Sequence, residues 1–428
     1  MKFSRKTFSV SKFQQSIWDS GIIFTALLTM CSQVMAGKQE LQSVIQGNGH
    51  FTKQLYNVLA QKPGNVFFSP ISAHAVLSMA YQGADGTTRA AFGKTLGVSD
   101  HLEAAVGYQD VMKHLNNVSD VQLLMANKVY IMEGCALNPT FKEVTEKNFF
   151  SEVQSLNFSQ SEASAKTINQ WVEDKTQEKI KDLITPDLLN SATRLVLVNA
   201  IYFKGTWASK FNKELTQKEK FYLNDNDTIE VQMMNAKGKY FYKEDETLDA
   251  KVLELPYSNS DVSLLVILPN KRNGIANLEK KLAETDLTKI TENMFKPEVV
   301  VKLPKFKIET TIDLKKPLEK IGLGEIFTNK ANFSGMLESP EQLFVSEVIQ
   351  KAFIEVNEEG TEAAAATEFV IYARSGAIRM HRQEIFTVDH PCIFLIQSHE
   401  RMNERRRDRL SNTLFIAKLS KINNVASN

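Results

Sequence analysis

Two stretches, VQLLMANKVYIM (121–132) and TRLVLVNAIYFKG (193–205), constrain this chain most. Both are apolar and β-branched enough to be long strands placed centrally in a sheet. The part before them reads mainly helical. LQSVIQGNGHFTKQLYNVLAQ (41–61) spaces its apolar residues at helical intervals and ends before Pro63-Gly64. SPISAHAVLSMAYQGA opens on Ser69-Pro70, a capping residue and a first-turn residue, and stops at Gly83. DGTTRAAFGKTL and HLEAAVGYQDVMKHL follow as two further helices, and TINQWVEDKTQEKI is an amphipathic one between the two strands. From Thr228 strands dominate: TIEVQMM, KYFYK, DAKVLELPY, DVSLLVILP and EVVVKLPKFKIE. A late helix, IDLKKPLEKIGLG, precedes the strands FVSEVIQKAFIEV (344–356), FTVDHPCIFLIQ and NTLFIAKLS. Helices early and strands late, without βαβ regularity, predict an α+β fold with large sheets.

Composition matters mainly for what it excludes. A chain of 428 residues with 43% hydrophobic and 24% charged residues can build one large core, and a net charge of +1 offers no signature for nucleic acid. At the N-terminus, Lys2, Arg5, Lys6 and Lys12 precede the apolar run GIIFTALLTMC, and Val34 and Ala36 follow at the spacing of a cleavage site. The run is too short to span a bilayer, so 1–36 reads as a secretory signal rather than an anchor. Four basic residues and one acid leave with it, taking the net charge to −2. The remaining cysteines, Cys135 and Cys392, form no disulfide framework. Four sequons, at Asn117, Asn157, Asn226 and Asn332, fit a secreted glycoprotein. There is no nucleophile elbow, zinc-binding helix, C-x-x-C, Walker loop or G-x-G-x-x-G, so nothing supports an enzyme or a metal site.

Six blocks in order resemble one family, the serpins, which are serine protease inhibitors and their non-inhibitory relatives. They are NVFFSPISAHAVLSMAYQGADGTT (65–88), INQWVEDKTQEKIKDLI (168–184), NAIYFKGTWASKF (199–211), FVSEVIQKAFIEVNEEGTEAAAAT (344–367), FTVDHPCIFLI (386–396) and NTLFIAKL (412–419). The resemblance covers roughly residues 40 to 421. It implies one domain over 37–428, with three β-sheets, eight or nine helices and an exposed reactive-centre loop at about 358–385.

That loop accounts for an otherwise odd stretch, EEGTEAAAATEFVIYARS. With a period of two, Thr361, Ala363, Ala365, Thr367, Phe369 and Ile371 fall on one uncharged side. Glu362, Ala364, Ala366, Glu368, Val370 and Tyr372 fall on the other, which carries both acids. Glu358, Glu359, Gly360 and Thr361 to Thr367 form the hinge, with Gly360 supplying backbone freedom. In inhibitory serpins the cleaved loop inserts as a new central strand of the large sheet. Burial of Phe369 and Ile371 and about a dozen new ladder hydrogen bonds would release on the order of 10–20 kcal/mol. The family's count from the hinge puts the cut bond fourteen residues past Gly360, at Arg374-Ser375, and Arg374 is the first basic residue after Lys351. Arg there suits a trypsin-like protease. Arg379 and Arg382 are the fallback sites.

The resemblance also assigns Ser69, Ser72 and Asn199 to a polar shutter beneath the large sheet, and Trp207 to the breach at its top. Gln350 stands where the shutter usually has a histidine, which removes an expected titration near neutral pH. Cys392, in place of the usual Phe, reads as a buried inert thiol. The run HERMNERRRDRL, with Arg401, Arg405, Arg406, Arg407 and Arg409, has two readings. It is either a solvated loop facing Glu400, Glu404 and Asp408, or a site for a sulfated polysaccharide such as heparin. The leading expectation is a monomeric, extracellular suicide inhibitor of an Arg-specific serine protease, with no required cofactor and no nucleic-acid or membrane partner. The alternative is a non-inhibitory carrier, storage protein or chaperone.

Overall fold

The computed structural model describes residues 38–118, 120–259, 261–339, 341–360, 383–401 and 409–422, with backbone alone at 400, 401 and 409. The expected secretory signal, 1–36, lies outside them. Helix α1 covers 38–59, and β1 (Val66–Phe68) leads into α2 (Pro70–Gly83). The Ser69 side chain accepts from Ser72 N as the expected cap. Every residue of α2 except Gln82 is buried, so its polar members must find partners inside the protein. His74 does so by bonding the Tyr108 hydroxyl at 2.6 Å and the Leu96 carbonyl at 2.9 Å. Burial pulls its pKa down to about 4, making it a neutral core residue. Helices α3 (Gly86–Leu96) and α4 (His101–Asn116) follow as expected.

Three sheets organise the rest. The five-stranded sheet has the order β11 (Phe306–Asp313), β12 (Val345–Val356), β4 (Leu195–Gly205), β2 (Val121–Met132), β3 (Val153–Leu156). The two long apolar stretches, 121–132 and 193–205, are therefore two of its three inner strands. Leu195, Leu197, Ile201 and Phe203 of β4 enter the main core, while Val196, Val198, Ala200 and Tyr202 enter a second core on the outer face. Helix α6 (Ser161–Lys175) covers that outer face through Ile168 and Val172. A six-stranded sheet runs β1, β15 (Arg409–Leu419), β14 (Cys392–Arg401), β9 (Val262–Pro269), β8 (Ala250–Pro256), β7 (Phe241–Asp245). A four-stranded sheet runs β13 (Glu384–Thr387), β10 (Glu298–Pro304), β6 (Thr228–Lys239), β5 (Gln217–Tyr222). Helices α5 (Pro139–Phe149), α7 (Ile275–Glu284) and the single turn α8 (Lys315–Leu318) complete eight helices among the described residues.

Four segments differ from expectation. EVVVKLPKFKIE is two strands in two sheets, β10 and β11, because Pro304 has no N–H to continue the ladder. FTVDHPCIFLIQ is likewise split between β13 and β14 at the corner holding Pro391. There His390 bonds Asp389 at 2.6 Å and the Pro269 carbonyl at 2.8 Å. IDLKKPLEKIGLG is helical only as α8 and two short irregular turns, interrupted where Gly322 takes a φ of +112°. Helix α6 starts at Ser161 and ends at Lys175, before Gln177 and Glu178, which have positive φ. Cys135 and Cys392 are both free and buried. Burial pushes the Cys392 thiol up to about 12, which keeps it protonated and unreactive.

Phe415 joins two sheets: it stacks on Phe67 at 5.5 Å and meets Phe203 of β4 edge-on at 5.8 Å, fully buried. Phe415→Ala should destabilise the protein by about 3–5 kcal/mol, read as a lower midpoint in urea unfolding followed by circular dichroism.

Candidate functional site

Strands β12 and β4 run parallel and pair directly, from Val345↔Leu195 to Phe353↔Tyr202. Register places Gln350 beside Asn199, and Asn199 beside Asn127 of β2. Three amides thus form a row across three strands on the main-core face. Gln350 bonds the Asn199 carbonyl oxygen through its Nε2, and Asn199 Nδ2 reaches both Ser72 Oγ and Asn127 Oδ1. Ser72 Oγ donates to Asn127 Oδ1 at 2.9 Å, and Ser69 Oγ to the Leu414 carbonyl at 2.7 Å. Gln350 also takes both groups of the Ser69 backbone: Ser69 N donates to its Oε1 at 2.9 Å, and its Nε2 donates to Ser69 O at 2.8 Å. A primary amide carries a donor and an acceptor side by side, which an imidazole does not. Gln350 therefore stitches β12 to the start of α2, and none of the five side chains in the row titrates. Four of the five, Ser69, Ser72, Asn199 and Gln350, were singled out in the sequence. Asn127 was missed, although a lone Asn interrupts each of the two long apolar strands at matching depth.

The top of the seam is built differently. Asn357 and Gly360 close a tight turn, with Asn357 N donating to Gly360 O at 2.8 Å and Gly360 N to Asn357 O at 3.2 Å. Gly360 has a φ of +131°, and an added Cβ would lie 2.1 Å from the Gly205 carbonyl oxygen. Both the backbone angle and the close approach require glycine. Gly360 also bridges to Thr206, just past β4, and Trp207 N donates to Glu359 O at 3.0 Å. Trp207 stacks on Tyr257 at 4.6 Å and donates its indole N–H to the Asn357 carbonyl at 2.9 Å. The hinge is therefore strapped to the head of β4 by its own backbone.

Its two acids are held by lysines from distant segments. Lys305 lies 2.9 Å from Glu358, which also accepts from Thr216 at 2.8 Å. Lys210 and Lys213 lie 2.6 Å and 3.1 Å from Glu359. Burial opposes ionisation of Glu358, but the hydrogen bonds from Lys305 and Thr216 outweigh it and hold the carboxyl below its usual range. For Glu359 the hydrogen bonds from Lys210 and Lys213 lead, with the same result. Nothing in the local sequence announces these partners.

Thr361, Glu362, Ala363, Ala364, Ala365, Ala366, Thr367, Arg374 and Ser375 lie outside the described residues, as do Arg405, Arg406 and Arg407. The backbones of Arg401 and Arg409 face each other at the ends of β14 and β15. Asn117, Asn157 and Asn226 are exposed, and Asn332 is half-buried. Among the described residues, no group of three or more His, Cys, Asp or Glu could hold a metal, and no helix is long and apolar enough to cross a membrane.

Three sheets, with two parallel strands meeting directly in the five-stranded one and a glycine turn strapped at their head, define a class. A family model described as Serpin (serine protease inhibitor) matches residues 46–404, and the chain belongs to the serpin family. The Bombyx mori protein named Antitrypsin is 39% identical over 375 residues, 87% of this chain and 95% of that protein. Antichymotrypsin-2 of the same organism is 40% identical over 354 residues, 82% of this chain and 94% of its own. The crystal structure of Serpin48 from the insect Tenebrio molitor matches with a TM-score of 0.78 at 33% identity, over 90% of this chain and 99% of its own.

Because the folded pKa values of Glu358 and Glu359 are lowered, their stabilisation is fully present above the ordinary carboxylate range. It is lost as pH falls through the folded values, below about pH 4. Trp207 fluorescence, in the chain from residue 37 onward with Trp171→Phe, should be flat from pH 7 to about 5 and shift below about 4. Glu358→Gln with Glu359→Gln should show the shifted signal already at pH 7.

Proposed function

We propose that this serpin is a secreted suicide inhibitor of a trypsin-like serine protease, cut at Arg374-Ser375 and trapping the enzyme as its loop enters the seam between β12 and β4. It is an inhibitor rather than an enzyme, in keeping with its named relatives. Those two relatives, at near-equal identity, carry names pointing to different proteases, so the framework does not set the target. The reactive bond does, and an Arg at that bond calls for a buried carboxylate in the protease's specificity pocket.

One observation carries the insertion reading. The Asn357↔Gly360 bridge fixes how a strand continuing from Gly360 would pair antiparallel to β12, and the Thr206↔Gly360 bridge, in the same register as the seam, fixes its pairing with β4. Both registers bring the same residue, Thr367, opposite Gln350 on one side and Asn199 on the other, which are already partners across the seam. In this register the uncharged side of the loop, Thr361, Ala363, Ala365 and Thr367, aligns with the buried positions Val356, Ile354, Ala352 and Gln350. Glu362 aligns with the outward Glu355 and stays in solvent.

Secretion rests on the leader 1–36 and on the exposure of three of the four sequons. A sulfated polysaccharide on the arginine run at 401–409 is a subsidiary proposal. It would lie at the turn between β14 and β15 and would accelerate inhibition by bridging inhibitor and protease in an otherwise monomeric protein.

The mature protein mixed with trypsin should give an SDS-stable band at the summed mass, with a released peptide starting at Ser375 by mass spectrometry. Arg374→Ala should abolish both. Cleavage at Arg374 without that band across a panel of Arg-specific proteases would overturn inhibition and favour the carrier reading. Thr367→Arg should still be cut at Arg374, but a charge forced against the Gln350–Asn199 pair should convert most of the inhibitor into substrate. The stoichiometry of inhibition should rise several-fold, since leaving one buried charge unpaired costs about 3–5 kcal/mol.

A further inference from the structure

The ladder between β12 and β4 does not run to the top of either strand. It ends at Phe353↔Tyr202, whereas β12 stays paired with β11 up to Val356, and β4 with β2 up to Gly205. The seam is thus unzipped between its last closed pair and the strap at Gly360. A strand entering from the hinge meets Phe353 and Tyr202 first.

Those two residues do more than share a register. On the outer face of the sheet their rings stack at 5.6 Å between centroids and 24° between planes. Tyr202 is buried and Phe353 half-buried against the same outer core. Lys307 sits 5.0 Å above the Phe353 ring, and Lys179 5.7 Å above that of Tyr202. Three residues below, on the opposite face, lies the Gln350–Asn199 bond. The seam is therefore held by an aromatic pair outside and an amide pair inside, and the aromatic pair stands nearer the hinge.

We propose that the Tyr202–Phe353 stack is the latch that sets how fast the sheet admits a strand, with Phe353 and Tyr202 acting as positioning residues for insertion. This rests on the insertion reading above. Opening the seam must separate the rings before any new ladder bond forms, so the stacking interaction is lost at the start of insertion. Its loss by mutation lowers the barrier to opening without touching the reactive bond or the hinge.

The test uses the intact mature chain and a synthetic acetylated peptide of residues 361–374, TEAAAATEFVIYAR, with uptake followed on native gels. Phe353→Ala should take up peptide about three- to tenfold faster than wild type, the rate equivalent of an aromatic pair. Phe353→Tyr, which keeps the stack, should stay within about twofold of wild type. Tyr202→Leu, which keeps apolar volume in the outer core, guards against a failure of Phe353→Ala to fold and should also be faster. Val299→Ala removes buried volume from β10, in the four-stranded sheet away from the seam, and should leave the rate unchanged. Equal acceleration by Val299→Ala, or wild-type rates in both Phe353→Ala and Tyr202→Leu, would overturn the latch. If wild type takes up no peptide and forms no trypsin complex, insertion itself fails and the latch falls with it. Trypsin trapping by wild type alongside unaltered uptake rates in the variants would sink the latch alone.

Discussion

The interaction on which the structure depends is the direct pairing of β12 with β4. Eight register pairs join two parallel strands at the middle of a sheet whose other neighbours are mostly antiparallel and equally well paired. A purely apolar seam would be held by buried area and would lose that area on opening. Here the inner contact is an amide row instead. A hydrogen bond contributes only about 0.5–1.5 kcal/mol net, but an orphaned buried polar group costs about 1–3 kcal/mol. Separating Gln350 from Asn199 is therefore costly while the gap is empty and cheap once a polar group fills it. A contact of this kind opposes opening without opposing the opened and refilled state.

The hinge applies the same logic with charge. Glu358 and Glu359 sit at the turn between two bridged residues, and each is held by lysine. The turn already has the register of an antiparallel strand between β12 and β4, so under the proposed insertion no large backbone search would separate the strapped state from the first inserted pair. Gly360 permits this, since any side chain there would collide with the Gly205 carbonyl. Strap and entrance are the same few residues.

Much of this was legible in the chain because its signals are local. The ends of β2 coincide with the stretch 121–132, and α2 begins and ends where Ser69-Pro70 and Gly83 put it. Gln350 and Asn199 were assigned through the family resemblance, and Gly360 as the flexible residue of the loop's hinge. The rest is long-range. Lys210, Lys213 and Lys305 meet the hinge acids from segments far from them in sequence, and an ion pair leaves no periodicity at either end. Strand β5, QKEKFY, alternates charge with little apolar content and looks like a loop, since only Phe221 of its six residues is buried. Pro304 was visible, but its consequence, a strand shared between two sheets, depends on which neighbour each half meets.

The outer core shows which way the molecule divides. Its members come from β2 and β4 (Ala126, Tyr130, Val196, Val198, Ala200 and Tyr202), from α6 and from the segment that follows it. From β12 only Ile349 belongs to it, with Phe353 packed at its margin. Helix α6 packs over β2, as where Trp171 meets Tyr130, and the segment after it reaches the seam, with Lys351 of β12 donating to the Lys181 carbonyl at 2.8 Å. Parting β12 from β4 leaves α6 in place and gives up few apolar contacts on that face. The main core spans both sides: Leu195, Leu197 and Ile201 lie on one, and Val345, Val348, Ala352 and Ile354 on the other. Resistance to opening therefore lies underneath, around α2 and the amide row, and at the aromatic pair above. Between those two contacts the outer face offers little to hold the sheet shut, so under the proposed insertion a strand that passes Phe353 and Tyr202 would still have the seam's remaining ladder, the main core and the amide row to part.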